Sequence, residues 1–161
     1  MWPSYVINLA DNTARLDAVT KIMTAQDIAF ERVEGVNGWA LTEAEIARTY
    51  DAKRNAKEGR HPLVPAEIGC YLSHIAAWQR IADGDAAGGF IFEDDFDATA
   101  QLGPVLRALS ADTAGDWDMT KLFTLDTDVE LCNARSLLDD VQIGTPYRVP
   151  TCLIGYALTK S

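Results

Sequence analysis

Cysteine and histidine are scarce in this 161-residue chain, with three cysteines (Cys70, Cys132 and Cys152) and two histidines (His61 and His74). Cysteines that are odd in number and widely spaced suggest neither a disulfide framework nor a zinc site. Two histidines exclude a histidine-rich metal centre. Positive charge is also in deficit: 14 Lys and Arg against 24 Asp and Glu leave a net charge of −10. That balance argues against nucleic acid as a partner and against charge-driven docking on an anionic membrane. No apolar run approaches the roughly 20 residues a helix needs to cross a bilayer. The opening residues, Met-Trp-Pro-Ser-Tyr-Val, lack a basic segment followed by a long apolar stretch, so no secretory signal is expected. Repeats and low-complexity tracts are missing too. These absences leave a reduced, cytoplasmic protein, at most peripheral at the inner membrane. Its length and its 48% hydrophobic content fit a single globular domain over residues 1–161.

What is present centres on residues 88–97, Gly-Gly-Phe-Ile-Phe-Glu-Asp-Asp-Phe-Asp. A short aromatic run released by two glycines reads as a buried strand. It ends in three consecutive carboxylates, Glu93, Asp94 and Asp95. Alternation along an extended chain would point Glu93 and Asp95 one way and Asp94 the other. Crowded carboxylates repel unless a cation lies between them, and hard oxygen donors suit magnesium or manganese. A solvated acidic turn after a core strand is the plainer reading of the same residues.

Residues 5–9 (Tyr-Val-Ile-Asn-Leu) read as a strand, and Leu16, Val19, Ile22 and Met23 recur at helical spacing. Residues 30–36 alternate as a half-exposed strand, so the chain opens β-α-β and a parallel sheet covered by helices is expected. Thr42 is placed to cap a short helix. Residues 51–65 are polar and basic without periodicity, which reads as a mobile loop. The strongest helix runs over 65–82, with Pro65 at its start and Gly84 at its stop. It carries a broad apolar face and a stripe of small residues, where Gly69 marks a close approach of backbone or ligand. His74 lies at the edge of the apolar face, where a histidine is more often a satisfied core residue than a catalyst. A short turn makes this helix antiparallel to the strand after it, which brings Glu67, Ser73 and His74 to the side of Glu93–Asp95. Ligands bind at that carboxyl edge in open α/β sheets. Further on, Leu102, Val105, Leu106 and Leu109 mark a helix. Residues 117–125, 147–150 and 151–158 read as strands, and Asp126 with Asp128 forms a second acidic pair.

Taken in order, residues 5–9 with Arg15-Leu16, residues 67–74 (Glu-Ile-Gly-Cys-Tyr-Leu-Ser-His) with Trp78, and Phe92-Glu-Asp-Asp95 resemble glycosyltransferase family 25. Trp117-Asp-Met-Thr-Lys-Leu and Gly155-Tyr-Ala-Leu resemble that family's later strands. The resemblance implies a GT-A-like nucleotide-diphosphosugar transferase fold, an α/β architecture with a mainly parallel sheet flanked by helices. It also implies a UDP-sugar donor, a divalent metal (Mn2+ or Mg2+), and galactosyl transfer with inversion to a lipooligosaccharide or other glycan acceptor. By that resemblance Asp95 is the direct metal ligand and Glu93 reaches the ribose or a metal-bound water, with Asp94 beside them. Asn8 and Arg15 would lie by the nucleotide, and Ser73 would join the donor site. A metal bridging the phosphates would stabilise the departing diphosphate. Direct displacement needs a general base for the acceptor hydroxyl; Asp126, Asp128 and His74 are the candidates.

Members of the family usually extend well beyond this length. The missing part would carry acceptor-side helices, and an apolar surface left uncovered would favour a homodimer. Two alternatives stand beside transfer. One is a catalytically impaired module that keeps donor binding or serves protein interaction. The other is a phosphoreceiver-like signalling domain, which expects an acidic pair after the first strand, where this chain has Asn8-Leu-Ala-Asp.

Overall fold

A computed structural model describes residues 1–59, 61–125 and 129–160. The β-α-β opening consists of β1 (Ser4–Asn8), α1 (Thr13–Thr24) and β2 (Phe30–Glu34). A single 3-10 turn, Gly38–Ala40, leads to two seven-residue helices, α2 (Glu43–Thr49) and α3 (Ala52–Glu58). The long helix α4 (Pro65–Asp83) then runs into β3 (Gly88–Glu93), followed by α5 (Leu102–Ala111) and β4 (Met119–Lys121). A hairpin of β5 (Leu131–Leu138) and β6 (Val141–Pro146) precedes β7 (Gly155–Thr159).

The five-stranded sheet has the order β2-β1-β3-β7-β4. β1 pairs in parallel with both β2 and β3, whereas β7 is antiparallel to both β3 and β4. Four strands therefore share one direction and β7 is inserted against them. The sheet is mixed in its pairing, because among the described residues no crossover helix lies between β4 and β7, and the hairpin with an irregular segment leads into β7 instead.

Period-two alternation divides the core between the two faces of the sheet. Val6, Phe90, Phe92 and Ala157 face α1 and α5, where they pack with Val19, Met23, Leu106 and Leu109. Tyr5, Ile7, Ile91 and Tyr156 face α4 and pack with Ala77 and Ile81. Burial of Phe90 and Phe92 contributes on the order of 1.5–3 kcal/mol each.

Helix boundaries follow local chemistry. Thr42 caps α2 in a reciprocal box with Glu45, and Gly84 ends α4. Glu67 reaches back to accept the Val64 N–H at 2.8 Å, satisfying a donor that the first turn leaves open. The loop expected over 51–65 contains α3. Asp51 caps it by accepting the Arg54 N–H at 3.0 Å, and because the helix buries no residue, apolar periodicity could not reveal it.

The strand expected over 117–125 shortens to Met119–Lys121, and residues 147–150 are not a strand. Pro150 offers no ladder donor, and Cys152 adopts a left-handed backbone (φ 68), which breaks the extended run before Gly155. The hairpin is anchored by Arg135, which donates to Asp112 at 2.5 Å and to Asp116 at 2.8 Å.

Candidate functional site

The carboxyl ends of β1, β2 and β3 meet the first half of α4 around a cleft of about 290 Å³. Ile7, Asn12 and Arg15 line one side, Gly35 to Trp39 the second, Ala66, Cys70, Ser73 and His74 the third, and Glu93 with Asp94 the end. α4 lies close against the second wall because of two glycines. A Cβ on Gly69 would stand 2.5 Å from the Val36 carbonyl and the Gly38 nitrogen, and one on Gly38 would collide with the Pro65 carbonyl. The close approach anticipated at Gly69 is therefore between backbones.

The acidic trio divides differently from the simple alternation. β3 ends at Glu93, so the pleat stops there and Asp94 and Asp95 belong to the following turn. Arg15 bridges that pair, with its guanidinium 3.2 Å from Asp94 Oδ1 and 3.2 Å from Asp95 Oδ2. Glu93 turns instead toward α4, with Oε1 3.2 Å from His74 Nε2.

Asn8 is almost wholly buried and all its polar atoms are engaged. Its amide donates to Asp94 Oδ2 at 2.6 Å and to the Asn12 carbonyl at 3.0 Å, while its Oδ1 accepts from Arg32 Nε at 2.9 Å. The residue holds Asp94 and the β1–α1 turn in place. Ser73 is likewise a strut: its hydroxyl accepts the Val36 N–H at 2.8 Å and donates to the Gly69 carbonyl at 2.7 Å. Ser73 stiffens the wall it lines, and Asn8 supports the cleft from behind.

His74 is buried at 2% exposure and links the sheet to the acidic end. The Trp78 indole, which can only donate, gives its N–H to Tyr156 Oη at 2.6 Å, and Tyr156 Oη lies 2.8 Å from His74 Nδ1. Nε2 is thereby left facing Glu93. Burial disfavours the imidazolium, but the Cys70 thiol and the Glu93 carboxylate outweigh it and raise the His74 pKa to about 9. Burial also pushes the Tyr156 hydroxyl up, against the Trp78 hydrogen bond, so it remains a neutral phenol.

Glu93, Asp94, Asp95, Asn8, Arg15, Ser73 and His74 thus gather at one edge of the sheet, as the sequence anticipated. Asp126 and Asp128 lie outside the described residues. Glu93 and Asp95 are carboxylates of the kind that suit a hard divalent cation, but Glu93 is turned toward His74 and Asp95, 41% exposed, toward Arg15, so holding one ion together would require both side chains to change partners. Sequence reasoning missed Arg32, Tyr156, the cleft-lining Cys70 and Trp39, which is 71% exposed. Only Cys70 left a readable signal, one helical turn before His74.

The sequence profile of glycosyltransferase family 25 (LPS biosynthesis protein) matches residues 1–130, and so covers every wall of the cleft. The chain belongs to glycosyltransferase family 25. Among curated relatives of this family-25 chain, procollagen galactosyltransferase 2 of Mus musculus is 29% identical over 71% of the chain and 19% of its own length. Procollagen galactosyltransferase 2 of Homo sapiens is 30% identical over 56% of the chain and 15% of its own length. A Homo sapiens relative named inactive glycosyltransferase 25 family member 3 is 26% identical over 73% of the chain and 21% of its own length. The chain therefore spans about a fifth of the length of these relatives. Family membership sets aside the phosphoreceiver alternative. No helix among the described residues is long and apolar enough to cross a membrane.

Proposed function

We propose that this chain binds a UDP-sugar, UDP-galactose in the first instance, beside Glu93 and Asp94 and transfers the sugar with inversion to a glycan such as lipooligosaccharide. The observation that carries this reading is the convergence of Arg15, Glu93 and Asp94 on one cleft at the sheet's carboxyl edge, with Asn8 bonded to Asp94 and Asp95 sharing Arg15, inside the segment matched by the family. The names of the procollagen galactosyltransferases support galactose, and the family's description supports a lipopolysaccharide-type acceptor.

Asp95 and Glu93 would hold a magnesium or manganese ion, which when bound offsets charge on the leaving diphosphate. The side chains do the rest. Arg15 supplies positive charge at the cleft mouth and orients Asp94 and Asp95. Asn8, fixed by Arg32, keeps Asp94 at the cleft wall. Trp39, exposed beside the cleft, offers a ring face for stacking against the uracil or the sugar. His74 is a poor base for the acceptor hydroxyl, since both ring nitrogens are engaged and its proton is held to about pH 9. Its role in this reading is to position Glu93. The base would then be a carboxylate, with Asp126 and Asp128 the candidates.

Calorimetric titration of UDP-galactose with and without manganese, on the native chain and on Asp95→Asn, tests the reading. Metal-dependent binding that Asp95→Asn abolishes supports it, and no binding under either condition overturns it. The inactive family members among the relatives favour one further reading, a donor-binding module without transfer. Tight UDP-galactose binding with no release of UDP over a panel of glycan acceptors would decide for that module.

A further inference from the structure

One group of side chains in the cleft has a chemistry that hard-metal sugar transfer leaves unused. Cys70 and His74 stand one turn apart on α4, on the face that meets the carboxyl end of β3. There one ligand atom each from Cys70, His74 and Glu93 lies within 4.8 Å of the others. We propose that Cys70 Sγ, His74 Nε2 and a Glu93 carboxylate oxygen form a three-ligand site for a zinc-class cation, with the fourth position open to the cleft.

The donor set points to this metal class. One sulfur, one imidazole nitrogen and one oxygen suit zinc or cobalt, whereas magnesium and calcium favour oxygen alone. Bonds of about 2.0–2.3 Å to zinc in a tetrahedral arrangement place neighbouring ligand atoms about 3.2–3.8 Å apart. His74 Nε2 and Glu93 Oε1 are already 3.2 Å apart, so small side-chain rotations close the set.

The imidazole is also oriented as a ligand needs to be. Its Nδ1 is held by Tyr156 from β7, which is itself fixed by Trp78, so Nε2 faces Glu93. A cation bound there displaces the proton between Nε2 and Glu93 together with the thiol proton, both released to solvent. Cys70 is exposed and lines the cleft, giving the cation a path of entry. Of the three consecutive carboxylates Glu93 is the one turned toward α4, whereas Asp94 and Asp95 are turned toward Arg15. Glu93 is common to this site and to the hard-metal site of the sugar-transfer reading, so the two cations would compete for it, whereas the sulfur ligand belongs to this site alone.

Cobalt(II) titrated into chelator-treated protein tests it, since a thiolate bound to cobalt gives an intense near-ultraviolet charge-transfer band. The expected result is saturation at one equivalent, full displacement of the band by zinc, and its loss in Cys70→Ser. Replacing Cys132 and Cys152 by serine should leave the band intact. Tyr156→Phe, which keeps the shape but removes the partner of Nδ1, should weaken cobalt binding about tenfold or more. Far-ultraviolet circular dichroism checks that each variant is folded. A folded native protein with no band at equimolar cobalt, or a band that survives Cys70→Ser, overturns the proposal.

Discussion

Gly69→Ala sets two physical effects against each other. In an isolated helix interior the change would stabilise by about 1 kcal/mol, because alanine loses less backbone entropy. In this fold the new methyl carbon would stand 2.5 Å from the Val36 carbonyl oxygen and the Gly38 nitrogen, and 2.8 Å from the Gly38 Cα. All three are backbone atoms, so no side chain can swing aside, and α4 must move away from the 36–38 segment. Overpacking costs about 1–3 kcal/mol, and a clash confined to backbone atoms falls in the upper part of that range, at about 2–3 kcal/mol. Clash exceeds propensity, leaving a net destabilisation of about 1–2 kcal/mol. For a domain of this size that lowers Tm by about 2–8 °C. The same movement carries Cys70, Ser73 and His74 away from the opposite wall, so donor affinity should fall together with Tm. Thermal melts and nucleotide titration on the same preparation provide the assay. A Tm equal to or above that of the native protein would refute the reasoning, for it would mean that the helix and the 36–38 wall are not locked together.

Asn8→Ala strips hydrogen bonds from Asp94 and Arg32 at a buried position and should cost about 2–3 kcal/mol in urea unfolding. An effect below about 0.5 kcal/mol, the scale of ordinary surface changes, would remove Asn8 from its supporting role. Trp39→Ala should leave stability almost unchanged because the ring is exposed, yet weaken UDP-sugar binding by about fivefold to a hundredfold if the ring stacks on its ligand. Hydrogen bonds from Arg135 hold the Asp112 and Asp116 carboxyls below their ordinary value of 3.8. Depressed carboxylate pKa values contribute stability that is present above that value and lost as pH falls through the depressed ones. Arg135→Gln should therefore melt earlier than the native chain at neutral pH, with the two curves converging in acid; a constant gap down to the acid limit would contradict this.

The elements legible in the amino-acid order are those in which local signals agree. α4 has Pro65 at its start, a broad apolar face and Gly84 at its stop. β3 has its paired glycines and aromatic run, and α2 has its Thr42 cap. The hairpin of β5 and β6 was missed although Leu138 pairs with Val141 across a two-residue Asp-Asp turn. Its strands bury no residue fully and are bulged, so alternation is weak there. Helix α3 escaped for a related reason, since a helix that buries nothing needs no apolar stripe.

The sequence by itself determined the site's neighbourhood: a helix antiparallel to a strand brings its first half to that strand's carboxyl end, whatever the remaining packing. Tertiary structure alone decided what each residue does there. Ser73 and Asn8 spend their polar atoms on backbone and neighbouring side chains because burial leaves no water to satisfy them. Arg15 takes Asp94 and Asp95 together because the strand ends one residue before them. Cys70, His74 and Glu93 meet because the glycine-lined approach of α4 brings its thiol and imidazole to the end of β3, a distance that residue order does not encode.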